Sequence, residues 1–153
     1  MSVEEKLIEL GIKLPEPPTA GGTYVPAKTV GEMVFLSGVV STGAHGLITG
    51  TVGADRSVGE GYDAAKACAL MQLAVLRRHL GSLDAIAEIV SVNGYVNAVT
   101  GFADSPKVIN GASDFFVEVF GEAGRHVRAA VGVNALPRHA LVELQMVVRI
   151  AVK

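Results

Sequence analysis

The chain has 153 residues, enough for one compact domain and too few for two ordinary ones. Hydrophobic residues make up 50% of it with 18 glycines on top, against 18% charged residues, which excludes a disordered chain. The net charge is −2, basic residues are scattered, Trp is absent and aromatics are 5%, so neither a phosphate-binding stripe nor a base-stacking platform for nucleic acid is present.

Ser2 to Gly11 reads as a short helix, with Ser2 as its cap, Glu4 and Glu5 in the first turn and Gly11 as its stop. Acidic residues there, with no apolar run behind them, argue against a secretion signal, so a cytoplasmic protein is expected. Leu14 to Gly22 holds three prolines and two glycines and reads as a loop. Met33 to Val40 is an apolar strand. Ser41 to Gly61 carries six glycines around Leu47 to Val52, the pattern of a strand pair with a long, mobile connection. Tyr62 to Leu80 is a helix closed by Gly81. Its apolar run, Ala64 to Leu76, contains Lys66 and Gln72 and is too short to span a membrane. Cys68 lies inside it; one cysteine excludes an intramolecular disulfide, and its setting suits a buried, inert thiol.

Val90 to Val99 alternates, with Val90, Val92, Gly94, Val96 and Ala98 facing one way and Ser91, Asn93, Tyr95 and Asn97 the other. Pro106 opens a second helix capped by Asp104 or Ser105, whose apolar face includes Val108, Ile109, Ala112, Phe115 and Phe116. Two closing strands follow, Val127 to Asn134 and, after a turn at Pro137, Val142 to Ile150. The order ββ(β)-α-β-α-β-β predicts an α+β fold, a mixed sheet with its two main helices packed on one face. The other face would hold Ser91, Asn93, Arg128, Glu143 and Gln145, either solvated or turned toward another subunit. The apolar surplus favours a subunit interface.

The four histidines, His45, His79, His126 and His139, show no metal-ligand spacing, Cys68 has no partner, and surface or loop positions are expected for them. No metal and no cofactor is expected. Gly59-Glu-Gly61-Tyr-Asp-Ala64 matches a loose dinucleotide-binding pattern but follows no clear strand, and reads better as a glycine-rich hinge. No serine sits in a nucleophile elbow. Arg128 and Glu143 lie on the two closing strands and alternate away from the apolar side formed by Ala129, Val131, Val133, Leu144 and Met146. They could therefore meet in one pocket, as a carboxylate-binding fork beside a general base, or form an exposed cross-strand ion pair.

Several stretches resemble the RidA/YjgF family, also named L-PSP endoribonuclease-like. They are Gly-Thr-Tyr-Val-Pro at 22–26, Met-Val-Phe-Leu-Ser-Gly at 33–38 and Val-Ile-Asn-Gly-Ala-Ser-Asp-Phe-Phe at 108–116. The most specific is Arg128-Ala-Ala-Val-Gly-Val-Asn-Ala-Leu-Pro137 followed by Val142-Glu143-Leu-Gln. The resemblance spans about residues 20–152, which divides the chain into an N-terminal helix and Pro/Gly loop (1–19) and a RidA-like domain (20–153). It implies a bacillus-type chorismate-mutase-like fold, a homotrimer with clefts between protomers, and hydrolytic deamination of small 2-imino acids to 2-keto acids and ammonia, without metal or cofactor. By position, Arg128 would hold the substrate carboxylate and Glu143 would activate water. Tyr24, Gly38 and Asn110 would line the pocket, with the Ala130 backbone available for hydrogen bonding. The chain departs from common family forms at Val39, where many members have Gln, at Ala130, where many have Cys, and in its longer 41–61 segment; it looks closer to a longer branch. The alternative to catalysis is a trimeric module that binds keto acids or other carboxylates without turnover. A ribonuclease role finds no basic stripe or histidine pair here, and a chorismate mutase rests on fold analogy alone.

Overall fold

The computed structural model describes residues 1–152. Helix α1 (Val3–Glu9) is capped as its sequence requires: Ser2 Oγ accepts from the Glu5 N–H, and the Glu5 carboxylate accepts in return from the Ser2 N–H. Leu7 of this helix is 1% exposed and belongs to the main apolar cluster. Glu4 ties the helix down further, accepting from Arg77 and from the Leu83 N–H, and the Arg77 guanidinium holds its carboxyl below the usual range.

Strands β1 (Ala27–Val30) and β2 (Met33–Leu36) form a hairpin; β3 (Val39–Val40) follows, then the small pair β4 (Thr42–Gly43) and β5 (Gly46–Leu47). Helix α2 (Val58–Leu80) leads to β6 (Ile86–Asn97), α3 (Ser105–Phe120) to β7 (Val127–Val133), and a turn to β8 (Val142–Ile150). The main sheet has the order β1-β2-β8-β6-β7, with β3 also paired to β8. Among the strands of the described residues, only β6 and β7 pair in parallel. Both helices are crossovers that carry the chain in the same direction across the sheet, β2 over to β6 and β6 to β7. Crossovers of the same hand then place both helices on one face, and the α+β expectation holds. The core lies between that face and the helices, built from residues such as Val92, Val96, Leu144 and Met146 under Leu73, Leu76, Phe115 and Phe116. The other face of the sheet is uncovered in the single chain.

Two glycines decide how closely the layers approach. A Cβ on Gly94 of β6 would sit 2.5 Å from Ile109 Cδ1, so α3 seats its apolar edge on that bare backbone. A Cβ on Gly111 of α3 would run into the Tyr62 carbonyl of α2, so the two helices approach this closely at that point because the position is glycine.

Four expectations need correcting. Helix α2 starts at Val58 rather than Tyr62, because Ser57 and Glu60 form a capping box, and Gly59 and Gly61 lie inside the helix instead of forming a hinge. The 41–61 segment is sewn to the body by Ser41, which is 0% exposed, and by bridges from Thr49 to Ala140 and Val52 to Ala98. In β6 a register shift between Ile89 and Ser91 turns Ile89, not Val90, into the core. Strand β7 faces opposite to its expected sense, and that has consequences for the site.

Candidate active site

The candidate residues fall into two groups on opposite faces of the sheet. The first group is built where β2 breaks. Pairing of β2 with β8 stops after Phe35, and β3 resumes it at Val39, leaving Ser37 and Gly38 out of the ladder. Gln72 of α2, 0% exposed, fills the gap by donating to the Ser37 and Leu144 carbonyls, each at 2.9 Å. The buried Cys68 thiol lies below, 3.6 Å from the Val142 carbonyl, and burial pushes its pKa far up, as suits an inert thiol. Gly38 is thereby held against Glu143 of β8: a Cβ on it would lie 2.6 Å from Glu143 Oε2.

Glu143 projects from the uncovered face into a cavity of about 400 Å³ shared with Tyr24, Gly38, Met71, Arg138 and the segment Pro18–Gly21. Burial raises its pKa above the usual carboxylate range, and no side chain or backbone N–H among the described residues donates to its carboxylate. The cavity wall at 18–24 is fixed from both ends. Arg78 donates to the Pro18 carbonyl at 2.9 Å, and Tyr24 Oη accepts from the Gly21 N–H at 3.0 Å. Opposite it, Arg138 and His139 hold left-handed backbone, φ 55° and 60°. The Gly50 N–H to the His139 carbonyl and the Ala140 N–H to the Pro137 carbonyl pin that turn.

The second group surrounds Arg128 on the helix-covered face. Val92, fully buried beneath the helices, pairs with Arg128 on one side and Met146 on the other, so Arg128 shares their face. Its Nη1 donates to Asn110 Oδ1 at 2.7 Å and to Ser113 Oγ at 3.1 Å, both on α3. Ala130 follows on the same face of the same edge strand. The small residues Ala130 and Gly132 lie beneath α3, while Val127, Ala129, Val131 and Val133 point to the uncovered face. The expectation that Arg128 and Glu143 meet in one pocket of one chain therefore fails. Their strands are separated by β6, and Arg128 pairs with Val92 whereas Glu143 pairs with Tyr95. Two strand spacings and three residues of rise put their Cα atoms about 14 Å apart, with side chains pointing in opposite directions.

Sequence reasoning also missed Ser113, His126 and Arg138. Far from a free surface position, His126 is half-buried, edge-on to Phe116, with Nδ1 2.7 Å from the Gly124 carbonyl and Nε2 2.8 Å from Ser113 Oγ. Burial, reinforced by the Arg128 charge, lowers its pKa. The signal that could have found it is its position two residues before Arg128, just ahead of β7. Among the described residues no group of three or more His, Cys, Asp or Glu side chains could hold a metal ion, and no helix is long and apolar enough to cross a membrane.

The family model described as "YjgF/chorismate mutase-like, putative endoribonuclease" matches residues 4–150. The chain belongs to this YjgF/RidA family. It is 40% identical over 150 residues to protein TCP17 of Trypanosoma cruzi, covering 97% of this chain and 94% of that protein. A Shewanella oneidensis structure under the endoribonuclease label is 33% identical, with a TM-score of 0.93 over 98% of this chain and 100% of that one. RidA from an Antarctic Psychrobacter is 27% identical, with a TM-score of 0.60 over 88% and 94% of the two chains. The fold of this YjgF/RidA chain is thus the chorismate-mutase-like one expected.

Proposed function

We propose that this YjgF/RidA chain hydrolyses small 2-imino acids to 2-keto acids and ammonia, at clefts where Arg128 of one protomer meets Glu143 of another in a homotrimer. The observation that carries this reading is the separation of two incomplete half-sites. One holds a carboxylate with a raised pKa and no partner; the other holds a braced cation, on the opposite face of the sheet. The uncovered face supports an assembly: it exposes Phe35, Val127 and Val131 around a narrow polar strip of Ser91, Asn93 and Gln145.

The chemistry needs little more than those groups. Arg128 fixes the substrate carboxylate through paired N–H donors. Glu143 in its ionised form, poorly solvated, takes a proton from water as the water oxygen bonds to the imine carbon. Glu143 returns that proton to the nitrogen, the new hydroxyl gives up its own proton to the nitrogen as the C–N bond breaks, and ammonia leaves with the keto acid remaining. Tyr24, Gly38 and Asn110 shape the two sides of the cleft, and the edge strand carrying Ala130 offers backbone groups to the ligand. Iminopropanoate generated in place by an amino-acid oxidase, with semicarbazide trapping the remainder, tests this reading. Wild type is expected to suppress semicarbazone formation and Arg128→Ala to fail. Equal behaviour of the two across several imino acids would refute it. Carboxylate binding without hydrolysis would instead favour a non-catalytic binding module.

A further inference from the structure

On the covered side of the sheet, Arg128, Ser113, His126 and Gly124 form one chain of hydrogen bonds in which every direction is determined. The Gly124 carbonyl can only accept, so His126 carries its proton on Nδ1. In the neutral ring Nε2 is then bare, and the Ser113 hydroxyl must donate to it across 2.8 Å. The Ser113 oxygen keeps its lone pairs for Arg128 Nη1 at 3.1 Å. Asn110 Oδ1 takes the other Nη1 hydrogen at 2.7 Å, and the Pro106 carbonyl takes one from Nη2 at 3.4 Å. Three of the five guanidinium N–H groups are committed, and the two that remain, on Nε and Nη2, are the number a bidentate carboxylate takes.

A serine donating to a histidine that a third group orients has the outward form of a nucleophile and its base. Here the serine oxygen also accepts from a guanidinium, which withdraws electron density and occupies one of its two lone pairs. We propose that Ser113 and His126 are positioning residues, which lock the Arg128 guanidinium so that its two free N–H groups face the carboxylate of the substrate. An exposed arginine otherwise samples many rotamers, and that freedom is lost when a ligand binds. Here α3 and the 124–126 turn remove it beforehand. The inference rests on the reading of Arg128 as the carboxylate holder.

The test is binding of 2-oxobutanoate by calorimetry together with iminopropanoate kinetics. Ser113→Ala and His126→Ala are each expected to weaken binding and raise KM about five- to tenfold, with kcat within about twofold of wild type. The double variant is expected to be no weaker than either single one, because both act through the same chain. His126→Gln keeps an acceptor near the Nε2 position and is expected to restore binding to within about twofold of wild type. Additive losses overturn the proposal, as does a His126→Gln as weak as His126→Ala at an unchanged unfolding midpoint. Loss of kcat at constant KM, with Ser113 labelled by a fluorophosphonate, makes Ser113 a nucleophile and also overturns it. Arg128→Ala separates the two levels. If it leaves 2-oxobutanoate binding intact, the proposed function and this inference both fall; if it abolishes binding while Ser113→Ala has no effect, only this inference falls.

Discussion

Glu143 carries the cost of its own usefulness. Burial raises its pKa, so the ionised carboxylate is destabilising in the folded chain at pH values above that raised pKa. The penalty disappears as pH falls through the folded value toward the unfolded one. Glu143→Gln is therefore expected to unfold at a higher temperature than wild type at pH 7, with the difference shrinking toward pH 4, while its hydrolysis rate drops at least about a hundredfold. Thermal melts at the two pH values, beside the semicarbazide assay, check both halves. Gly38 belongs to the same argument. A methyl group 2.6 Å from Oε2 must push the carboxylate aside, so Gly38→Ala is expected to lower kcat about tenfold or more with little effect on stability. Steady-state kinetics and a urea melt separate those two outcomes.

Among the elements, α2 and α3 meet through Gly111, where any side chain would enter the Tyr62 carbonyl. Gly111→Ala is expected to cost about 2–3 kcal/mol, by forcing the helices apart, and a urea titration measures it directly. Most elements are legible in the sequence because their periodicity is strong: β8 alternates from Val142 to Ile150, and α3 shows its apolar stripe and its Pro106 start. The error on β7 has a physical origin. Its valines look like core residues, yet α3 covers the other side, where Ala130 and Gly132 are small enough to let a helix approach. Small residues under a helix and large ones on an open face give the same alternation as the reverse arrangement. The register against β6 is needed to tell them apart. The family pattern places Arg128 and Glu143 as candidates, but their opposite faces, and the Ser113–His126 brace, depend on that register.

At the scale of the whole molecule, the uncovered sheet face explains the apolar surplus. On its edge strand β7, Val131 is 46% exposed and Val127 is 69% exposed. The proposed function requires a homotrimer in which this face packs near the β7 edge of a neighbouring copy, where Arg128 lies. Val131→Glu places a charge in that interface, and is expected to yield monomers by light scattering, with loss of hydrolysis although Arg128 and Glu143 are intact. The decisive measurement mixes two inactive variants. Arg128→Ala and Glu143→Gln, unfolded together at equal amounts and refolded, should recover about one quarter of wild-type activity, because one site in four then draws both intact residues from neighbouring protomers. Recovery near zero, with mixed trimers demonstrably formed, would contradict a site shared between copies.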